Sequence, residues 1–352
     1  MKYPAIFMVL LILAGPVCAG FDKEWSYGVE QGIKSMDCKD ERCAVLSKDN
    51  VAIYFVKDKE RWSRSVNKEL NTISISNDLI TAASTDGNIY VFNTKGDLLW
   101  WKNIGAGVGY KEAVFAGDYI AVGGINGVVY LFDANGSLLW NRTTGSYVVN
   151  VKLVNDTLFA VSDKQGYVFD IMGNERANLG IEYYIRSCAL SDGTIALGLG
   201  DGTLHIFTAD GLETGNYTIG DQIGTIAIMG KYVAVGARDG NLYLFDKNAT
   251  LLWKQNLDSG VTSVGISGRN LYAVSLEDNV YLYTINGYQL ASQNESGIIA
   301  SYLDDYGLTT GTDKGKVTHY LIPTRSGSFG IFAIAFVVLI MLGAVVVLLK
   351  EL

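Results

Sequence analysis

The sequence predicts an all-β fold, an eight-bladed β-propeller of four-stranded antiparallel blades, followed by one C-terminal transmembrane helix. Three observations lead there: an internal repeat, strand punctuation inside every copy of it, and apolar segments at the two chain ends.

The repeat decides the fold. Asp86-Gly-Asn-Ile-Tyr-Val-Phe92 recurs as Asn126-Gly-Val-Val-Tyr-Leu-Phe132 and as Asp239-Gly-Asn-Leu-Tyr-Leu-Phe245, and looser copies begin at Asp49, Asp163, Asp201, Glu277 and Lys314. The starts are spaced by 37, 40, 37, 38, 38, 38 and 37 residues, and an aromatic follows six positions after each: Phe55, Phe92, Phe132, Phe169, Phe207, Phe245, Tyr283 and Tyr320. Asp-Gly and Asn-Gly pairs separate short runs of Val, Ile, Leu, Tyr and Phe, the pattern of hairpin turns between strands. A second hairpin precedes each such turn, and a fourth strand follows it, ending in Trp62, Trp100, Trp140 or Trp253 in four of the copies. Four strands with apolar residues on both faces make a blade that must pack between neighbours. Eight starts give eight blades. The last copy lacks a fourth strand, and Phe21 to Tyr27 is a Trp-bearing strand without a repeat of its own. It is expected to close the ring as the outer strand of blade eight, which would remove two open sheet edges.

The blade pattern Asp-Gly-x-Leu-Tyr-Leu-Phe-x-x-x-Gly-x-Leu-Leu-Trp resembles the pyrroloquinoline-quinone-type (PQQ-like) propeller repeat over nearly all of residues 21–322. Quinone-dependent alcohol dehydrogenases and the propeller lipoproteins of bacterial outer-membrane assembly share this repeat. The resemblance implies the fold and leaves the task open, because one propeller scaffold serves many functions.

The chain ends fix the expected compartment. Lys2, an apolar stretch from Ala5 to Ala14, Gly15-Pro16 and the small-residue site Val17-Cys18-Ala19 read as a signal peptide over residues 1–19. The propeller is expected over 20–322 and a short linker over 323–328. Residues 329–349 carry no charge and are long enough to cross a bilayer, leaving 350–352 as a cytoplasmic tail. Lys350 agrees with that orientation. The expected location is therefore the cell membrane, single-pass, with the propeller on the extracytoplasmic side.

Little in the sequence points to catalysis, and the chain is read as a binding protein, not an enzyme, with no cofactor. The resemblance to quinone enzymes does not carry over a quinone site, because those enzymes use a pair of adjacent cysteines and no two cysteines adjoin here. His205 stands in the slot held by Tyr90, Tyr130, Tyr243 and Tyr281, and His319 adjoins the repeat aromatic Tyr320, so neither is assigned to a metal. Asp304-Asp305 falls where sister blades place a polar turn. Gly123 to Gly127 and Gly198 to Gly200 are not followed by a helix pattern, so a phosphate loop is rejected. A formal net charge of −8 argues against nucleic acid. Aligned on the repeat, Cys38 and Cys43 face each other across a hairpin, and in an exported protein they are expected to form a disulfide. Cys188 aligns with a buried strand position. Sequons at Asn135, Asn141, Asn155, Asn216, Asn248 and Asn294 fit an exported, N-glycosylated surface.

The leading functional reading is a membrane-anchored scaffold that binds a protein or glycan. The alternative is a small-ligand or redox accessory with a site near the propeller axis. The linker after blade eight reaches only about 20–25 Å, so the face from which the chain leaves should lie toward the membrane. The opposite face should carry the Asp-Gly turns and the connections between blades. Its candidate partner-binding residues are Tyr110, Lys111, Glu112, Tyr147, Glu182, Tyr183, Tyr184 and Arg186, rich in the residue types found at recognition hot spots.

Overall fold

The computed structural model describes residues 20–323, apart from 77, 106, 107 and 117, and the backbone alone over 108–116. The signal segment 1–19, the linker from 324 to 328, the apolar segment 329–349 and the tail 350–352 lie outside these residues. Among the described residues no helix is long and apolar enough to cross a membrane.

Among the described residues every regular element is a strand, from β1 (Asp22–Gly28) to β32 (Lys316–Leu321), and the strands form eight four-stranded antiparallel sheets. Blade one is β2 (Ile33–Lys39), β3 (Arg42–Ser47), β4 (Val51–Val56) and β5 (Lys59–Ser65), in that order from the axis outward; the pattern repeats to β29 (Gln289–Asn294), the last strand of blade seven. The Asp-Gly pairs close the hairpins between second and third strands. Gly87 has φ 86°, a conformation that costs a residue with a Cβ but not glycine, and Asp86 beside it accepts a hydrogen bond from Asn88 Nδ2 at 2.6 Å. Middle strands are buried on both faces, as in β3 and β4, whereas the outer β5 buries Trp62 alone. The core therefore lies in layers between blades and not inside any one of them.

Blade eight closes the ring as the sequence predicts. Its strands run β1, β32, β31 (Gly307–Thr312), β30 (Ile298–Leu303), with Asp22 opposite Leu321 and Gly28 opposite Lys316. Phe21 packs on Tyr320 with ring centroids 5.3 Å apart, and Trp25 is buried. Both described chain ends thus lie at one face of the ring, with the turns joining first to second and third to fourth strands.

Neighbouring blades are clamped by a repeated contact. The outer-strand indoles of Trp62, Trp100, Trp140 and Trp253 each donate Nε1–H to a carbonyl in the next blade's last turn: Thr94 at 3.3 Å, Ala134 at 2.8 Å, Ile171 at 2.9 Å and Ile285 at 2.9 Å. Each ring also meets the next blade's repeat aromatic, as Trp62 meets Phe92 at 5.5 Å. The turn beneath needs glycine for two reasons. At Gly136, for instance, φ is 84° and a Cβ would stand 2.7 Å from the Trp100 ring. A buried indole with its N–H satisfied contributes both area and direction.

Cys38 and Cys43 are register partners between β2 and β3 and are joined by a disulfide, with Cα atoms 4.1 Å apart. Cys188 is buried and takes no part in a disulfide.

Two outcomes follow from this architecture. Deleting residues 21–27 should lower unfolding stability by at least ~3–5 kcal/mol, the usual cost of losing one buried Trp; an unchanged denaturation midpoint would place β1 outside the ring. Replacing Cys38 and Cys43 with Ser should cost about 2 kcal/mol, since the closed loop is short. Recovery of both as free thiols from protein made under oxidising conditions would refute the disulfide.

Candidate functional site

The face opposite the chain ends carries the hairpins between second and third strands and the inter-blade connections. Blade four is β14 (Val148–Val154), β15 (Thr157–Ser162), β16 (Gln165–Asp170) and β17 (Glu175–Gly180), and blade five begins with β18 (Ile185–Ser191). Between them opens a cleft of about 320 Å³, lined by Tyr147, Val149, Asn150, Val161, Tyr184 and Arg186, with Cys188 in its wall. A second hollow of about 660 Å³ adjoins it through Ser146 and Asp163 and is walled by Gln165, Tyr167 and Glu182.

The loops that build this surface are tied down. Tyr167 donates its hydroxyl to Thr144 O at 2.8 Å and Ser162 donates to Ser146 O at 2.7 Å, which holds the connection bearing Tyr147. The connection bearing Glu182, Tyr183 and Tyr184 is held at both ends, by Ile181 N to Lys164 O at 2.9 Å and Gly200 N to Tyr184 O at 3.1 Å. On this fixed frame Tyr147, Tyr183 and Tyr184 are 62%, 50% and 56% exposed. The Lys164 ammonium sits 5.2 Å from the centre of the Tyr184 ring, a cation–π contact. Asp163 and Glu182 set acids beside Lys164 and Arg186, so the rim carries both signs around aromatic faces.

This junction differs from several others in the residues that face its neighbour. At Gly198 in blade five a Cβ would lie 2.3 Å from Ile223 of blade six, and at Gly236 in blade six it would lie 2.5 Å from Val261 of blade seven. These glycines pair with Ser187 and Thr225 on the innermost strands; Val161, paired with Asn150, holds the same place in blade four. Leu46 and Val274 hold that place in blades one and seven, so it is not glycine throughout the ring. The polar groups on the innermost strands differ as well. Between blades one and two, Asp37 accepts from Ser74 Oγ and Ile75 N, both at 2.9 Å. Burial pushes that carboxyl up, while those two bonds and the charge of Lys152 work the other way. Asn150, on the same side of blade four, keeps a buried Oδ1 with no hydrogen-bond partner. A buried amide oxygen left unpaired costs about 1–3 kcal/mol, and here it faces a cleft that a donor could enter.

Of the residues singled out in the sequence, the structure brings Tyr147, Tyr184 and Arg186 together in the cleft, with Glu182 in the adjoining wall and Tyr183 exposed between them. Two placements need correction. Arg186 belongs to β18, at the register shift between Ile185 and Ser187, and not to the connection. Tyr110, Lys111 and Glu112 lie inside β10 (Val108–Ala116), the innermost strand of blade three, where register jumps from Val108 to Ala113. An insertion that reads as a loop is absorbed by the strand as a wide irregularity. Asn150, Val161 and Asp163 were missed as site residues; the signal available was Val161 standing at a register position that is glycine in four other blades. His205 bonds Glu213 through Nδ1 at 2.9 Å, and Asp304 accepts from the amides of Tyr306 and Gly307, as a turn residue does. All six sequon asparagines are exposed, and none lines the cleft.

Residues 27–180, the stretch that ends with the last strand of blade four, match the family model described as outer membrane protein assembly factor BamB. The chain is similar to PQQ-like propellers of the BamB type. No curated protein matches it. Solved structures with the same architecture include the computationally designed Ika8 protein, at 17% identity, covering 86% of this chain and all of that one, with a TM-score of 0.78. BamB from Moraxella catarrhalis follows at 15% identity, 88% and 99% coverage and a TM-score of 0.73. Sqt1 from Chaetomium thermophilum, solved bound to the N-terminus of ribosomal protein L10, has 15% identity, 86% and 100% coverage and a TM-score of 0.71. At these identities the likeness establishes the β-propeller fold alone.

Removing the branch at Val161 tests the origin of the cleft. In a crystal structure of Val161→Gly, Ile185 should move toward β15 and narrow the opening; an unaltered cleft would show that Val161 is not its cause. Tyr183→Ala, at an exposed position, should change stability by less than about 0.5 kcal/mol.

Proposed function

We propose that this chain is an exported, membrane-anchored scaffold that captures a protein partner on the face opposite its chain ends, at the cleft between blades four and five. The observation that carries the reading is the set of half-exposed tyrosines on rigid connections around an unpaired buried Asn150 oxygen. Large aromatic side chains held in place lose little freedom on binding, and a desolvated acceptor at the floor supplies direction. Protein recognition is carried over from the similar proteins: BamB is by description an assembly factor, and the Chaetomium Sqt1 is bound to the N-terminus of ribosomal protein L10. Export by 1–19, anchoring by 329–349 and N-glycosylation at the six sequons complete the proposal. In this arrangement the face with both chain ends turns to the bilayer and the cleft looks outward. No catalytic role is assigned.

Site-specific photo-crosslinking in the native cell tests it. A photoreactive residue at Tyr184 should give a discrete protein adduct, and one at Leu212, exposed on the face with the chain ends, should not. The combined variant Tyr147→Ala, Tyr183→Ala, Arg186→Ala should lose capture by at least ~10-fold, one hot-spot side chain being worth about 2 kcal/mol, while its melting temperature stays within about 2 °C. Adducts from Leu212 alone would place the partner on the wrong face and overturn the reading.

A further inference from the structure

The seam where the ring closes departs from the other blade junctions in one respect. In four sister blades the outer-strand tryptophan finds a carbonyl in the next blade's turn, but Trp25 does not: its Nε1 is buried without a partner. The turn it should meet, Lys57-Asp58 of blade one, is shorter than the four-residue turns elsewhere. Trp25 instead stacks on His319, with ring centroids 5.1 Å apart and planes 4° from parallel.

His319 is itself out of place by the logic of the repeat. It pairs with Trp25 as Tyr54 pairs with Trp62, Leu131 with Trp140 and Leu244 with Trp253. Blades two, four, five and seven have Val91, Val168, Ile206 and Leu282 at that position. An imidazole where seven sisters place an aliphatic side chain or Tyr brings two ring nitrogens into a core that must satisfy them. One is satisfied: Nδ1 lies 2.9 Å from the hydroxyl of buried Thr309. The other is not. Nε2 is fully buried and has no hydrogen-bond partner.

Two carboxylates converge on that nitrogen. Glu24 is the extra residue of a β-bulge in β1, between Lys23 opposite Tyr320 and Trp25 opposite His319. Bulges re-aim a side chain, and Glu24 Oε2 comes to 3.6 Å from Nε2, beyond hydrogen-bond reach. Glu41 enters from the first turn of blade one. One ligand atom from each of Glu24, Glu41 and His319 lies within 4.8 Å of the other two. Glu24 is partly exposed, so the group is open to solvent on one side.

We propose that Glu24, Glu41 and His319 bind a first-row divalent cation, Zn²⁺ foremost, and that this ion locks the closing strand to blade one. One imidazole nitrogen and two carboxylate oxygens suit Zn²⁺ or Mn²⁺, with water completing the shell, and are a poor set for Ca²⁺, which takes oxygen donors. Thr309 has the role of the outer partner: accepting Nδ1–H, it fixes the tautomer whose Nε2 lone pair points at the carboxylates. Burial lowers the imidazole's pKa below its ordinary value, while the carboxylates of Asp304, Glu24 and Glu41 act in the opposite sense. Lys57, 3.1 Å from Glu41, pairs with that carboxylate and would compete with the ion for it. The ion would join β1, β32 and the first turn of blade one, which are three segments from opposite ends of the chain.

The test uses the purified full-length chain, stripped with EDTA and titrated with Zn²⁺ by calorimetry. Saturation at one equivalent and a rise in melting temperature reversed by EDTA are expected, with no such rise from Mg²⁺ or Ca²⁺. Glu24→Gln and Glu41→Gln should each weaken Zn²⁺ binding at least ~10-fold without altering the melting temperature of the ion-free protein, and Thr309→Val should weaken it by about 10-fold. Lys57→Met should tighten it. Because His319→Gln disturbs a core position, the two surface-side glutamates carry the decision. Absence of one-equivalent Zn²⁺ binding, or binding that Glu24→Gln leaves unchanged, overturns the proposal.

Discussion

The seating of a tryptophan from one blade on the glycine turn of the next is the contact on which the ring depends. Strands that are apolar on both faces cannot be stable in a lone blade, so every blade is completed by its neighbours. Where the indole is present, it contributes buried area and a hydrogen bond at the rim while innermost strands close near the axis. Between blades four and five both devices are absent. Ala177 occupies the slot of Trp140, and Val161 replaces the glycine that lets innermost strands approach. Between blades seven and eight both are lacking as well, with Ala291 and Val274 in those places, but there the hydroxyls of Ser263 and Ser301 meet across the junction at 2.9 Å.

In a ring of eight the cleft between blades four and five lies across from the seam between blades eight and one. The seam is the only junction that must be made between distant parts of the chain, and its polar residues are concentrated there: Glu24, Glu41, Thr309 and His319. These two junctions divide the ring into two arcs of four blades.

Most of the architecture was legible in the sequence because repetition multiplies weak signals. A single Asp-Gly pair is a common turn; eight related starts with an aromatic six residues later are a blade count. The register of the repeat also paired Cys38 with Cys43 and assigned Phe21 to Tyr27 to blade eight, since each reading needed only the hydrogen-bond pattern of a hairpin. The site was less legible. Tyr147, Tyr183 and Tyr184 could be named from their place in connections, but Tyr110 to Glu112 were misplaced because a strand absorbed the extra residues. Asn150 and Val161 become informative only when their inter-blade neighbours are known. His319 looked like a packing residue because its carboxylate neighbours come from the far end of the chain, a proximity no local pattern encodes.

The pairing of β1 with β32 also sets an order of events in time. Residue 22 must wait for residue 321, and at synthesis rates of ~5–20 residues per second the wait is on the order of 15–60 s. During that interval seven blades can form hairpin by hairpin, while the strand carrying Trp25 has no sheet to join and an apolar surface to hide. Any pause or early termination near the last blade leaves an open ring with two unpaired edges, a template for joining another copy. The cell that makes this protein must therefore protect its beginning until it has finished its end.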